Sequence, residues 1–255
     1  MSKKTKIQMS KVYKSFGSND VLKGVNLEVD EGESMVIIGG SGSGKSVMLK
    51  CIIGLIHADN GIIKVDDQDI LQMSTKQIEA VNKKVGMLFQ GGALFDSLSV
   101  WENITFGLRA QGNLSKSDAI DIAQAKLKAV GLRGETAFLL PAELSGGMQK
   151  RVALARAIAA NPDIIFFDEP TTGLDPIMAD VINELIVECV KDLGATAITI
   201  THDMASVRKI ADKVAMIHEG KIIWTGTVKR MENSGNDHVD QFIHGRSNGP
   251  IQMVA

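Results

Sequence analysis

The chain has 255 residues, of which 44% are hydrophobic and 23% are charged, and its formal net charge at pH 7 is -2. These values are typical of an α/β protein with a sizeable core, and they argue against a nucleic-acid partner because such proteins usually carry a basic face. Two cysteines are too few for the disulfide framework of a small secreted domain, and every apolar run is far shorter than the ~20 residues of a membrane-spanning helix. We expect a cytoplasmic protein that does not cross a membrane itself.

The first third of the sequence is rich in strand-like segments. Residues 7–12, 25–29 and 62–65 are predicted strands, and the uninterrupted apolar run at 35–38 predicts a buried strand. A glycine-rich segment follows that strand and precedes a helix-like stretch, which is the context that a phosphate-binding loop requires.

The glycine-rich segment, Gly-Gly-Ser-Gly-Ser-Gly-Lys-Ser at 39–46, predicts an ATP site. Glycines let successive backbone N–H groups curl around phosphate oxygens. The lysine supplies a positive charge for the β- and γ-phosphates, and the last serine supplies a hydroxyl for Mg²⁺. The candidate ATP-binding residues in and after this segment are Gly39, Ser41, Gly42, Gly44, Lys45, Ser46 and Val47.

The later part of the chain alternates strand and helix patterns. Strands are predicted at 85–89, 164–167, 196–200, 214–217 and 222–224, and helices at 115–130, 151–160, 177–193 and 237–245. In the helix at 115–130, four apolar residues recur at helical spacing and are predicted to be core: Ile120, Ala123, Leu127 and Val130.

Two acidic residues end the strand at 164–167. This strand consists of four large apolar residues, so it is predicted to be buried on both faces, with Asp168 and Glu169 at its carboxyl end. We assign Asp168 to Mg²⁺ and Glu169 to the orientation and deprotonation of the attacking water. Adjacent acids at a strand end are also typical of a solvated turn, and it is the phosphate loop upstream that favours catalysis.

A third segment, Leu-Ser-Gly-Gly-Met-Gln at 144–149, opens a predicted helix shortly before the acidic strand. Alone, it is typical of any helix with a serine N-cap after a tight turn. Following the phosphate loop and preceding the acidic strand, it resembles the signature of ABC-type ATPases. The resemblance implies that Ser145, Gly146, Gly147 and Gln149 contact the ATP held by the opposite subunit, so that hydrolysis needs a homodimer.

The same resemblance assigns roles to residues outside these three segments. It implies that Phe16 stacks on adenine, although an aromatic there is also typical of a strand-end core residue. It implies that Gln90 reaches Mg²⁺ and water, that Asp175 communicates across the dimer, and that His202 holds the γ-phosphate and Glu169. The implied catalytic residues are thus Glu169, His202 and Gln90, and the implied Mg²⁺ ligands are Ser46, Gln90 and Asp168.

One residue departs from the family pattern. Many members carry a hydroxyl at the position of Val47, where it can contact the α-phosphate, so one phosphate contact is expected to be missing here. The resemblance otherwise implies an active ATP hydrolase that uses ATP and Mg²⁺.

The resemblance also implies the fold. We expect an α/β P-loop NTPase with a RecA-like core, an N-terminal antiparallel β subdomain and a helical signature subdomain. The expected ABC ATP-binding domain spans 1–230, with the helical subdomain inserted at about 91–160, and a C-terminal extension for partner contact spans 231–255.

The segment Gly-Ala-Leu-Phe-Asp-Ser-Leu at 92–98 bears on what the ATPase powers. It places Leu94, Phe95 and Leu98 after Gln90. The resemblance to ABC ATPases implies that exposed apolar residues here are a docking site for a membrane permease, and a buried loop is the alternative. Together with 144–148 and with Thr-His-Asp-Met at 201–204, it resembles the ATPases of Mce-type lipid transporters.

This closer resemblance implies partners and a location. The implied complex contains a polytopic permease, an Mce-domain lipid-binding subunit and a STAS-domain protein. It would lie at the cytoplasmic face of the bacterial inner membrane and move phospholipid between the inner and outer membranes, which maintains outer-membrane lipid asymmetry. A small-solute ABC importer shares every catalytic motif and stays open as an alternative, and a soluble non-transport ABC ATPase is a further one.

The C-terminal tail supports the same resemblance. A short helix ended by glycine is predicted at 237–245 and an extended segment at 248–251. The resemblance implies that Phe242, Ile243 and Ile251 contact the neighbouring ATPase subunit or the STAS-domain partner. A frayed terminus is the alternative interpretation.

Overall fold

The computed structural model describes residues 4–112 and 114–252. The ends of the predicted ATP-binding domain and of the predicted C-terminal extension, residues 1–3 and 253–255, therefore lie outside the described residues. The described strands are β1 (Thr5–Phe16), β2 (Asn19–Asp30), β3 (Ser34–Ile38), β4 (Asn60–Val65), β5 (Gln68–Asp69), β6 (Val85–Leu88), β7 (Ile164–Asp168), β8 (Thr196–Ile200), β9 (Lys213–His218) and β10 (Lys221–Thr227). The α-helices are α1 (Lys45–Ile52), α2 (Thr75–Asn82), α3 (Val100–Ala110), α4 (Lys116–Ala129), α5 (Gly146–Ala157), α6 (Pro176–Leu193), α7 (Met204–Ile210), α8 (Val228–Met231) and α9 (Asp237–His244).

The chain folds into two compact units. Unit 1 comprises the described residues up to Ile78 and those from Ile198 onward, and unit 2 comprises Glu79–Ala197. The chain returns from unit 2 to unit 1 within β8.

Unit 1 contains an antiparallel sheet of the order β2-β1-β4-β5, as predicted for the N-terminal part. It also contains β3, all five residues of which are buried, paired in parallel with β9, while β10 pairs with β9 in antiparallel fashion. Because the run at 35–38 has no polar side, it can only be accommodated between two covering layers. This buried strand leads directly into the phosphate loop.

Unit 2 contains the parallel pair of β6 and β7 together with the helices α3, α4 and α5. Residues 164–167 of β7 are buried and Asp168 is half-buried, as the apolar run predicted. The hydroxyl of Ser115 caps α4 by accepting from the N–H of Asp118 at 3.1 Å. Of the four predicted core residues of this helix, Ile120 is only half-buried and the other three are buried.

The C-terminal extension folds onto its own helix. Gln241 is buried on α9, and its side-chain amide donates to the carbonyls of Arg246 at 3.2 Å and Ile251 at 3.0 Å. The N–H of Ile251 donates back to Gln241 Oε1 at 2.7 Å, so residues 248–251 bend back and the predicted extended course is wrong. Ile243 is only 7% exposed, whereas Phe242 and Ile251 are half-buried and remain the better candidates for a partner contact.

Both cysteines are buried, as predicted. Burial raises the pKa of the Cys51 thiol and of the Cys189 thiol to about 11 in each case. The thiols therefore stay protonated at neutral pH, which leaves little thiolate for redox chemistry.

Candidate functional site

The phosphate loop in unit 1 curls around the ammonium group of Lys45. Its Nζ donates to the carbonyls of Gly39 and Gly40, both at 2.7 Å. Gly39 has a φ of +151°, and a Cβ there would lie 2.2 Å from the carbonyl oxygen of Ile217, so only glycine fits this first turn of the loop. Gly44 is the N-cap of α1, and no side chain caps this helix start.

The loop meets the requirements of a phosphate site. Ser43 is buried, and its Oγ has no hydrogen-bond partner among the described residues. A buried hydroxyl of this kind is costly unless a ligand pairs with it, and a phosphate oxygen is a suitable acceptor. The positive end of α1 adds to the attraction for an anion. The residues present therefore fit a nucleotide phosphate.

Two further predicted residues lie in unit 1. Phe16 ends β1, and 48% of its surface is exposed, which leaves the ring available for stacking and rules out the strand-end core alternative. His202 follows β8 and is exposed. The next residue, Asp203, caps α7 by accepting from two N–H groups, which fixes the backbone that carries His202.

The acidic pair lies in unit 2 at the carboxyl end of β7. Asp168 and Glu169 are both half-buried. Glu169 has a φ of +50°, which costs a non-glycine residue free energy and is often found at functional sites. Thr172 Oγ1 donates to Glu169 Oε2 at 3.0 Å, so the carboxylate has a defined orientation. Thr172 was not predicted from the sequence. The signal that could have identified it is a hydroxyl three positions after the predicted base, Glu169.

A lysine that sequence reasoning also missed lies close to this pair. Lys150 on α5 is only 6% exposed, and its Nζ has no hydrogen-bond partner among the described residues. Burial lowers the pKa of Lys150, while the charges of Glu169 and Asp168 oppose that change. The ammonium therefore contributes positive potential at the acidic pair.

The signature segment combines a helix cap with a close helix contact. Ser145 Oγ accepts from the N–H of Met148 at 3.3 Å and caps α5, as the cap interpretation expected. Gly147 is buried, and a Cβ there would lie 2.5 Å from the Cε of Met178. The Gln149 amide donates to the carbonyls of residues 141 and 144 at 3.0 and 3.4 Å, so it positions the turn before the helix.

We expect Gly147→Ala to reduce ATP turnover while leaving the stability of the fold nearly unchanged. The nearest atom is the end of a flexible methionine, so the free energy of unfolding should change by less than about 1 kcal/mol. Turnover of ATP should fall at least about tenfold, because the added methyl displaces Met178 at the start of α6 and so disturbs the packing beneath the signature segment. Urea unfolding and a phosphate-release assay measure the two quantities. Gly107→Ala is the matched control for helix propensity, because Gly107 lies on α3 outside the signature segment and nothing lies within 4 Å of its added Cβ.

Asp175 has a clear local role as the N-cap of α6. Its Oδ1 accepts from the N–H groups of Ile177 and Met178, both at 3.0 Å. The adjacent Ile177 is 78% exposed, which is unusual for a large apolar side chain. This corner therefore presents an apolar surface beside the predicted dimer residue.

The segment after Gln90 is held by two side chains that sequence reasoning missed. Gln90 is exposed after β6. Arg156 on α5 donates to the carbonyls of Gly92 and Ala93, both at 2.7 Å. Buried Asn103 on α3 donates to the carbonyls of residues 95, 98 and 99 and accepts from the N–H of residue 95 at 2.7 Å. The loop thus has a fixed shape although most of it lies outside regular structure.

An apolar cavity of about 530 Å³ lies next to this loop, within unit 2. Its wall includes apolar side chains of β6, the loop and α3: Met87, Phe89, Phe95, Ile104 and Phe106. The rings of Phe95 and Phe106 lie 4.6 Å apart and are 44% and 46% exposed. Leu94 and Leu98 are half-buried and do not line the cavity, so of the three predicted docking residues only Phe95 does.

A family model described as ABC transporter matches residues 22–172, a span that includes the phosphate loop, the signature segment and the acidic pair. The chain belongs to the ABC transporter family. It is 43% identical over 93% of its length, and 89% of the relative's, to the intermembrane phospholipid transport system ATP-binding protein MlaF of Haemophilus influenzae. It is also 38% identical, over 97% of its length and 71% of the relative's, to the probable ribonucleotide transport ATP-binding protein mkl of Mycobacterium leprae.

Solved structures of ABC cassettes agree with the fold. A dimeric post-hydrolysis state of the ATP-binding cassette MJ0796, bound to ADP and Pi, has a TM-score of 0.80 and 31% identity, and the match covers 87% of this chain and 98% of that one. The predicted α/β ABC ATPase fold is thereby confirmed, and the chain is an ATP hydrolase. No helix in the described ranges is long and apolar enough to span a membrane.

Proposed function

We propose that this ABC ATPase is the ATP-hydrolysing subunit of a system that transports phospholipid between membranes. The 43% identity with the Haemophilus influenzae protein over 93% of this chain carries the proposal. The relative named for ribonucleotide transport keeps a small-solute transporter as the second candidate. The similarity to the phospholipid relative is higher, and that relative is also matched over more of its own length.

The proposed nucleotide-binding residues lie in unit 1. Phe16 stacks on adenine, and the loop residues Gly39, Ser41, Gly42, Gly44, Lys45 and Ser46 bind the phosphates. Ser43, which the sequence did not single out, pairs its buried hydroxyl with the same group. Val47 has no hydroxyl, so it would contact the phosphates only through its backbone.

Mg²⁺ would be held by Ser46, Asp168 and Gln90, which offer the oxygen ligands that this ion prefers. When bound, the ion neutralises negative charge on the phosphates. Glu169, oriented by Thr172, accepts a proton from the attacking water. His202 donates to the γ-phosphate and helps to hold that water.

Closure of a homodimer completes each site in this proposal. The start of α5, with Ser145, Gly146 and Gly147, is presented to the ATP of the opposite subunit, where a helix N-terminus favours an anion. Gln149 does not contact the ATP itself in this proposal, because its amide donates to the carbonyls of the turn before α5. It instead holds the start of the helix in place. Asp175 and the exposed Ile177 provide the contact that links the two sites.

The permease would dock on the apolar cavity of unit 2. Exposed Phe95 and Phe106 at its rim favour docking over the buried-loop alternative, since large exposed rings that lie together are typical of an interaction site. Arg156 connects the signature helix to the backbone of this loop, so movement of the helix on ATP binding is passed to the docking surface. An Mce-domain subunit, a STAS-domain protein and a location at the cytoplasmic face of the inner membrane complete the proposal.

Co-purification from membranes tests this proposal. The tagged chain, extracted in mild detergent, should bring with it a permease, an Mce-domain protein and a STAS-domain protein, identified by mass spectrometry. Phe106→Ser should reduce permease recovery at least about tenfold, because it removes an aromatic anchor. Ile62→Ser is the matched control, since Ile62 is 43% exposed but lies on β4 of unit 1.

The alternatives predict other outcomes of the same experiment. Recovery of a permease with a solute-binding protein would move the assignment to a small-molecule importer. Recovery of no membrane protein would favour a soluble ABC ATPase. If Phe106→Ser and Ile62→Ser recover equal amounts of permease, the proposed docking site is wrong, but the proposed complex is not affected.

A further inference from the structure

The end of β1 that carries Phe16 is irregular. The pairing of β1 with β4 ends at Tyr13 and Asn60, and its register against β2 shifts between Lys14 and Ser15. The Phe16 ring is itself 48% exposed, so little packing fixes its direction. A ring in this position needs other contacts if it is to be held ready for a ligand.

Asp59, immediately before β4, supplies such contacts. Its Oδ2 accepts from the backbone N–H of Ser15 at 2.6 Å, and its Oδ1 accepts from Lys14 Nζ at 2.6 Å. Its own N–H donates to the carbonyl of Tyr13 at 2.9 Å. These bonds join Asp59 to three successive residues of β1, and two of them are strengthened by charge. The bond from Lys14, followed by that from Ser15, lowers the pKa of Asp59, so the carboxylate is ionised at neutral pH.

The lysine in this arrangement also contacts the ring. Lys14 Nζ lies 5.2 Å from the centroid of Phe16, within the range of a cation–π interaction, and only 15% of the Lys14 side chain is exposed. An ammonium on one face of the ring leaves the opposite face for a flat, uncharged base. The position of the ammonium depends in turn on Asp59.

We infer that Asp59 is a positioning residue for base recognition, which holds the backbone of Ser15 and the ammonium of Lys14 so that Phe16 presents one face to a purine base. This inference rests on the proposed role of Phe16 in adenine stacking. It adds two residues, Asp59 and Lys14, that do not touch the nucleotide phosphates. Their loss should therefore weaken binding of the base and leave binding of the phosphate chain unchanged.

Two probes separate these contributions. ADP carries the base, whereas inorganic tripolyphosphate carries only a phosphate chain. Asp59→Ala should raise the Kd of ADP on the order of tenfold, because it removes two charge-assisted bonds, and should leave the Kd of tripolyphosphate unchanged. Asp59→Asn should give a smaller increase, because its oxygen can still accept from Ser15 while the ion pair with Lys14 is lost. Glu31→Ala is the control. Glu31 is exposed and follows the C-terminal end of β2, at the opposite end of that strand from Phe16, so its loss should leave both Kd values unchanged.

The Phe16→Ala variant distinguishes failure of the inference from failure of the proposed function. If Phe16→Ala weakens ADP binding and neither Asp59 variant does, Asp59 has no positioning role and the inference is overturned. If Phe16→Ala itself leaves ADP binding unchanged, the proposed stacking role is wrong. Equal losses for ADP and tripolyphosphate in Asp59→Ala and Asp59→Asn would indicate general damage and would also overturn the inference.

Discussion

Glu169→Gln is expected to reduce ATP turnover by about 10³-fold while ATP binding is retained. Glutamine has nearly the same size and can still accept the hydrogen bond from Thr172. It cannot accept a proton from the attacking water at neutral pH. ATP should therefore be bound but not consumed, and homodimers should accumulate when ATP is present. Steady-state phosphate release and size-exclusion chromatography with ATP measure the two effects.

The matched control for this variant is Glu188→Gln. Glu188 is exposed on α6 in the same unit, so its replacement makes the same chemical change away from the acidic pair. Its turnover should equal that of the unmodified chain. Unchanged turnover in Glu169→Gln would contradict the assignment of the base.

Lys45→Ala is expected to weaken ATP binding by about 10- to 100-fold. The ammonium of Lys45 binds the carbonyls of Gly39 and Gly40, so its removal takes away a phosphate ligand and also two bonds that shape the loop. Equilibrium binding of a fluorescent ATP analogue measures the change.

Lys50→Ala serves as the control for Lys45→Ala. Lys50 is an exposed lysine in the last turn of the same helix, α1. Its loss should leave the Kd within about twofold of the original value. Normal affinity in Lys45→Ala would contradict the proposed role of the loop, whereas equal weakening in both variants would indicate damage to α1.

Elements with a strong local signal could be predicted from the sequence. The runs at 35–38 and 164–167 are apolar at every position, which is compatible only with burial on both sides, and β3 and β7 were predicted for that reason. The phosphate loop was predicted because its glycines and lysine follow such a strand. The helix α3 lies in the section predicted to be helical, but its bounds were not predicted, although Ser99 and Glu102 form a capping box at its start, because its apolar residues continue directly from the preceding loop.

The missed residues of the candidate site depend on contacts between distant parts of the chain. Arg156 binds carbonyls more than 60 residues earlier in the sequence, and Asp59 binds Ser15 across 44 residues. Neither residue belongs to a periodic pattern or a spaced motif. Lys150 lies in a helix where a lysine is ordinarily exposed, and only the packing of α5 buries it near the acidic pair. The bend of 248–251 onto Gln241 was missed because it depends on hydrogen bonds to the side chain of Gln241, which no local sequence pattern marks.

The most direct test of the proposed function is phospholipid movement by the complete complex. The complex, purified through the tagged chain, would be reconstituted into vesicles that contain fluorescent phospholipid, and the distribution of that lipid would be followed with and without ATP. We predict a change that requires ATP and that is absent when the complex carries Glu169→Gln. A complex that hydrolyses ATP without moving phospholipid, and whose turnover is instead stimulated by a small solute, would contradict the proposal.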